Sequence, residues 1–185
     1  MVYSGSQKLA IYPGSFDPFT KAHENVVMQA RCLYNKVIIL VTDNPNKRYM
    51  FTKEQRVAMI QRLIDRAKWK DVVVDSWDGL VVTFAKDFIN YYDMINVVRG
   101  LRAGNGQEEF DLAKIYYEDF GKLDSVSILR TVFFPVLDDQ LQTVSSTRVR
   151  EYIRVGAMDY VHRHCPVAIC ESINNIIRET YVTKQ

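Results

Sequence analysis

The chain has 185 residues, 48% hydrophobic and 25% charged, which is enough apolar material for one ordinary domain with a sizeable core. A formal net charge of +2 gives no global field for nucleic acid, and no block of like charges marks a binding tail. No apolar run approaches membrane-spanning length, and the polar start, Met1 to Gln7, lacks the apolar centre of a secretory signal.

A single domain over residues 1–185 is expected, with 1–7 a flexible N-terminus and 155–185 a C-terminal helical region. The first strand begins at Leu9 and runs into Pro13-Gly14, a pair that breaks a strand and turns the backbone sharply. A helix is predicted over Glu24 to Tyr34, with His23 where it begins. Val37 to Val41 is a continuous β-branched and aliphatic run, the pattern of a strand covered on both faces. Thr52-Lys-Glu-Gln55 reads as a capping box, with a helical stripe of Val57, Ile60, Ile64 and Ala67 behind it. Asp71 to Trp77 is a third strand and Val81 to Tyr91 a helix; Ile95 to Val98 is a fourth strand and Gln107 to Phe120 a helix. Ser127 to Phe134 is a fifth strand, leading through Pro135 to a helix near Ser145, and Val167 to Tyr181 is a last helix. Cys32, Cys165 and Cys170 suit a reducing compartment, so a cytoplasmic protein is expected. His162, His164, Cys165 and Cys170 match no zinc spacing.

Strands alternating with crossover helices predict an α/β fold: a Rossmann-like five-stranded parallel sheet, order 3-2-1-4-5, with helices on both faces. In that order the winding reverses between the first and fourth strands, and ligands bind beyond their carboxyl ends. The loop after the first strand carries Pro13 to His23, and the segment after the fourth carries Val98-Arg-Gly-Leu-Arg102. Both suit phosphate. Ser15 and the backbone after Gly14 face the crevice, and His23 sits at a helix N-terminus with its free N–H groups and positive dipole end. Arg99 and Arg102 each present a planar fork for phosphate oxygens, and Gly100 lets backbone approach a ligand. Lys47, after the second strand, supplies a point charge on the same edge. Ser145 or Ser146 caps the next helix, whose N–H groups could also hold polyphosphate.

The segments Tyr12-Pro-Gly-Ser-Phe-Asp-Pro-Phe-Thr-Lys-Ala-His23, Val98-Arg-Gly-Leu-Arg-Ala103 and Val144-Ser-Ser-Thr-Arg-Val-Arg-Glu151 resemble phosphopantetheine adenylyltransferase. That family belongs to the nucleotidyltransferases with a T/H-x-G-H motif, and the resemblance covers roughly residues 9 to 155. It implies adenylyl transfer from ATP to 4′-phosphopantetheine, giving dephospho-coenzyme A and pyrophosphate. By the same resemblance Ser15 hydrogen-bonds the attacking phosphate, Phe16 lies beside ATP, and His23 contacts the phosphates in the transition state. Lys47 and Arg99 hold the phosphopantetheine phosphate, with Val81 near the pantetheine arm. Gly100, Leu101, Arg102, Glu109 and the segment Leu141, Gln142, Thr143, Val144, Ser145, Ser146 and Thr147 line ATP. Mg2+ is the expected cofactor, bridging ATP oxygens and keeping several waters, with no protein ligand assigned. A homo-oligomer is implied, since bacterial members form hexamers; no nucleic acid or membrane partner is.

Three departures from the family pattern stand out. The motif glycine is Ala22, which would be strained if that position required a positive φ. Gly104-Asn-Gly106 shortens the path from Arg102 to Glu109 by about one residue relative to the family, and the chain from Arg154 onward is longer than in the bacterial enzymes. The alternatives are adenylylation of nicotinate or nicotinamide mononucleotide, cytidylyl transfer to a polyol phosphate, and an inactive nucleotide-binding paralogue.

Overall fold

A computed structural model describes residues 6–121 and 130–182. Five strands, β1 (Lys8–Gly14), β2 (Lys36–Thr42), β3 (Val72–Trp77), β4 (Met94–Leu101) and β5 (Arg130–Pro135), alternate with helices along the chain. The helices are α1 (Lys21–Arg31), α2 (Lys53–Ala67), α3 (Val81–Lys86), α4 (Gly106–Gly121), α5 (Asp139–Gln142), α6 (Ser146–Arg154), α7 (Met158–His164) and α8 (Val167–Val182). The sheet order is β3-β2-β1-β4-β5 and every pairing is parallel, as expected from the crossover spacing. Ile11 of β1 pairs with Ile38 on one side and Val97 on the other, placing the reversal of winding between β1 and β4.

The period-2 alternation of each strand divides the core into two layers. Ala10, Tyr12, Val37, Ile39, Val41 and Val98 join Val26 and Val27 of α1, Met59 and Ile60 of α2, and Ile169 and Ile173 of α8. Leu9, Ile11, Ile38, Leu40, Ile95 and Val97 face the other way and bury Val81, Val82, Phe84 and Ala85 of α3. Asn96 is the polar exception inside this sheet; it accepts from the Tyr34 hydroxyl (3.1 Å) and donates to the Arg130 carbonyl (3.2 Å), so its burial leaves nothing unpaired.

Several boundaries differ from the sequence reading, each for a local reason. α1 starts at Lys21 rather than Glu24, because Thr20 is the N-cap and its N–H donates to His23 Nδ1 at 3.1 Å. A histidine in the place usually held by Glu or Gln hides this cap from pattern reading. The Thr52 box forms as expected: Gln55 N–H donates to Thr52 Oγ1, and Thr52 N–H to Gln55 Oε1. β4 continues through Arg99, Gly100 and Leu101, so these residues belong to a strand end rather than a loop. α3 is shorter than expected, and α5 and α7 are additional short helices. Of the expected fifth strand, residues 127–129 lie outside the described residues, as do 1–5 of the N-terminus and 183–185 of the C-terminal region. No described helix is long and apolar enough to cross a membrane.

Candidate active site

At the carboxyl end of β1 the chain folds back under itself. A Cβ on Gly14 would lie 2.8 Å from the Phe16 ring, so only glycine lets that ring tuck beneath the strand end. Phe16 itself has a φ of +48°, a left-handed conformation uncommon for a bulky residue. This turn brings its ring to 5.1 Å from His23, edge to face, with Tyr12 and Phe19 at 6.3 and 5.4 Å from the same imidazole. Ala22 occupies the second position of α1 without a positive φ, so its methyl is accommodated by ordinary helical backbone.

The electrostatics of His23 follow from this enclosure. Desolvation among the rings, then the charges of Arg102 and Arg99, push its pKa from 6.5 down to about 3. Its Nδ1 accepts from a backbone N–H, which leaves Nε2 as the protonated nitrogen of a neutral ring. His23 therefore both completes the cap that Thr20 begins and presents a neutral donor on the wall of a cavity.

That cavity, about 340 Å³, opens over the β1/β4 boundary. Ser15 and Phe16 after β1, His23 of α1, Lys47 after β2, Arg99, Gly100 and Arg102 from β4, Glu109 of α4 and Ser146 of α6 all line it. The two phosphate-suited segments do converge. Leu101, Val81, Leu141, Gln142, Thr143, Val144, Ser145 and Thr147 do not line it. Val81 instead packs with Leu9 and Ile11 in the opposite core layer. The 141–145 segment is spent on fastening loops. Gln142 accepts from the Ala103 N–H (2.8 Å) and donates to the Val136 carbonyl, while Ser145 caps α6 by accepting from the Arg148 N–H at 3.2 Å. Ser146, whose hydroxyl donates to the Pro18 carbonyl at 2.9 Å, is the member that reaches the cavity.

The two arginines are not open forks. Arg99 donates Nε and Nη2 to the two oxygens of Glu109 at 2.7 and 3.0 Å, and Nη1 to the Pro13 carbonyl at 2.7 Å. Arg102 donates to the Val144 carbonyl. Asn105 arranges the first pairing: it accepts from the Arg102 N–H (2.7 Å) and donates to the Gly100 carbonyl, and its carbonyl starts α4 so that Glu109 faces back over β4. Arg99 is neutralised by Glu109; among the described residues Lys47 and Arg102 are the lining cations that have no carboxylate partner. Gly100 lines the cavity and also has a packing role. A Cβ there would meet Val26 Cγ2 at 2.8 Å, so the missing side chain serves the close approach of α1 to β4.

Residues that motif reading passed over line the cavity or brace the turns around it. Tyr12 and Tyr116 line it, and burial raises the pKa of each hydroxyl, so both stay protonated donors. Asp17 is 1% exposed; its carboxylate accepts the N–H groups of Met50 (2.9 Å) and Phe51 (3.0 Å), and Arg150 donates to its carbonyl at 2.6 Å. Burial pushes the Asp43 carboxyl up, but hydrogen bonds from Arg56 and Lys53 outweigh it and hold the group below its usual range. An Asp in an otherwise apolar turn was the one available signal for Asp17; for the tyrosines there was none.

The family model described as cytidylyltransferase-like matches residues 11–152. A parallel sheet with this order, a basic crevice at its winding reversal and that match define a nucleotidyltransferase of the cytidylyltransferase-like class. Within the class, a phosphopantetheine adenylyltransferase of Petrotoga mobilis is 34% identical over 143 residues, 77% of this chain and 80% of the relative. Another, from Herminiimonas arsenicoxydans, is 37% identical over 80% of this chain and 83% of its own length. A third, from Leptospira biflexa, is 30% identical over 96% of this chain and 98% of its own. The chain belongs to the phosphopantetheine adenylyltransferase family. Among solved structures, the nicotinic acid mononucleotide adenylyltransferase of Plasmodium falciparum has a TM-score of 0.66 at 14% identity, covering 92% of this chain and 96% of that one. At that identity the likeness concerns the fold.

Proposed function

We propose that the chain transfers the adenylyl group of ATP to 4′-phosphopantetheine, releasing pyrophosphate and forming dephospho-coenzyme A, a step of coenzyme A biosynthesis. The observation that carries this reading is the gathering of Ser15, His23, Lys47 and Arg102 on one cavity at the β1/β4 boundary, in a chain of this family. An oxygen of the acceptor phosphate forms a bond to the α-phosphorus of ATP; the bond from that phosphorus to the bridging oxygen breaks, and its electron pair leaves with pyrophosphate. The nucleophile is already an anion, so no side chain needs to take a proton. Catalysis then rests on in-line positioning and on neutralising charge that grows on the α-phosphoryl oxygens and the leaving group.

In this reading Ser15 and Lys47 hold the acceptor phosphate, and His23 donates from Nε2 to the phosphoryl oxygens without adding a full charge. Arg102 faces the ATP phosphates. Arg99 contributes to the acceptor side through the part of its fork that Glu109 and Pro13 leave free. Glu109 tempers Arg99, so the cavity can release an anionic product. Among the described residues, both carboxylates that line the cavity are already paired, Asp43 with Arg56 and Lys53, and Glu109 with Arg99. Mg2+ would therefore be held by ATP oxygens and water, adding charge neutralisation. We extend the family reading to a cytoplasmic homo-oligomer.

The test is pyrophosphate release from ATP with each acceptor. Phosphopantetheine should support turnover and nicotinamide mononucleotide far less; equal or faster turnover with the mononucleotide would overturn the acceptor assignment.

A further inference from the structure

Arg56 lies on the first turn of α2 and does not itself line the cavity, yet it is 1% exposed and its guanidinium ties the β1–α1 connection to several points along the β2–α2 connection. Nη1 donates to the Ser15 carbonyl at 2.7 Å, and Nη2 to Asp43 Oδ1 at 2.6 Å. Nε is shared between the carbonyls of Phe51 (3.2 Å) and Thr52 (3.3 Å). The guanidinium carbon stands 4.4 Å from the centroid of the Tyr49 ring. Tyr49 in turn accepts the Asn44 N–H through its hydroxyl, and the Asn44 carbonyl accepts the Lys47 N–H at 2.9 Å. One buried cation therefore sets the backbone of Ser15 on one side and, through Asp43 and Tyr49, both ends of the turn that carries Lys47 on the other.

We propose that Arg56 is a positioning residue for the acceptor: it fixes the separation of Ser15 and Lys47, so that the two close on one phosphate group. The inference rests on the proposed function for the identity of that phosphate. A planar fork is needed because three carbonyls, a carboxylate and an aromatic face are served at once, which a lysine ammonium cannot do. Neither His23 nor Arg102 is among the described partners of Arg56, so ATP binding should be largely spared.

The test has a kinetic arm and an arm independent of the acceptor. Arg56→Lys, Asp43→Asn and Tyr49→Leu are compared with the unmodified protein in KM for ATP and for 4′-phosphopantetheine. Arg56→Lys should raise the phosphopantetheine KM by about tenfold or more, with the ATP KM changed by less than about threefold. Asp43→Asn and Tyr49→Leu, at more exposed positions, should shift the same ratio in the same direction and keep the test open if Arg56→Lys does not fold. A role in folding alone would lower the yield of active enzyme and leave the ratio unchanged, which would overturn the inference. In the second arm, backbone amide exchange over residues 44–49 should quicken in the variants while the β1 and β4 amides stay protected; unchanged exchange there would also overturn it. A protein inert with phosphopantetheine would defeat the proposed function, and the exchange arm would still decide whether Arg56 holds the turn.

Discussion

Replacing His23 with asparagine separates its structural role from its electrostatic one. Asparagine can place an acceptor where Nδ1 stands and so keep the bond from the Thr20 N–H, but it does not titrate and has nothing at Nε2. The wild-type imidazole has a pKa of about 3 when folded against 6.5 ordinarily. Below 6.5 the unfolded chain therefore takes up a proton that the folded chain refuses, and the stability His23 contributes, present above 6.5, is lost as the pH falls toward 3. At pH 5 the difference amounts to about 1.5 units at roughly 1.36 kcal/mol each, or about 2 kcal/mol. Urea unfolding of both proteins at pH 7 and pH 5 measures it, since every other group titrates alike in the two. The wild type should lose about 2 kcal/mol more than His23→Asn over that interval. An equal loss would mean that the imidazole is hydrated and titrates normally, and the neutral-donor role would fall with it. The same variant should lower kcat by roughly a hundredfold with a smaller change in the KM for ATP, as expected for a contact that strengthens in the transition state.

Other substitutions probe the rest of the cavity wall. Glu109→Gln leaves Arg99 without its counter-charge at a pair whose side chains are 18% and 13% exposed; it should cost about 2 kcal/mol in urea unfolding, and a loss near zero would show that solvent screens the pair. Gly100→Ala forces a methyl to 2.8 Å from Val26 Cγ2 and should cost about 1–3 kcal/mol in the wild type but much less when it is added to Val26→Ala, which makes room for it. An equal cost in both backgrounds would place the strain elsewhere. Ala22→Gly should change kcat/KM by less than about tenfold while lowering helix stability by about 1 kcal/mol; activity that appears only in the glycine variant would favour a binding-only paralogue.

The sheet was legible because Val37 to Val41 and its counterparts are apolar on both faces and the connections between them are too long for hairpins. The cavity was legible because Pro13-Gly14 and Arg99 to Arg102 lie at the carboxyl ends of strands that the topology makes neighbours. What escaped depends on partners distant in sequence. Arg99 looked like an open fork until Glu109, one turn into α4, closed on it. Arg56 looked like any polar position on an amphipathic helix, and nothing local announces that it is buried among loops. Phe16 gives no sign that it adopts a left-handed backbone, because the cause is the empty space beside Gly14. His23 was correctly placed at a helix start, but its bond to Thr20 lies outside the usual capping vocabulary.

Transfer of the α-phosphoryl group itself is the most direct measurement. The protein is incubated with ATP labelled at the α-phosphorus, 4′-phosphopantetheine and Mg2+, and the products are separated. The label should appear in dephospho-coenzyme A in step with pyrophosphate, and should do so about a hundredfold more slowly with His23→Asn. Label recovered only as AMP, or no label released from ATP, would contradict the account.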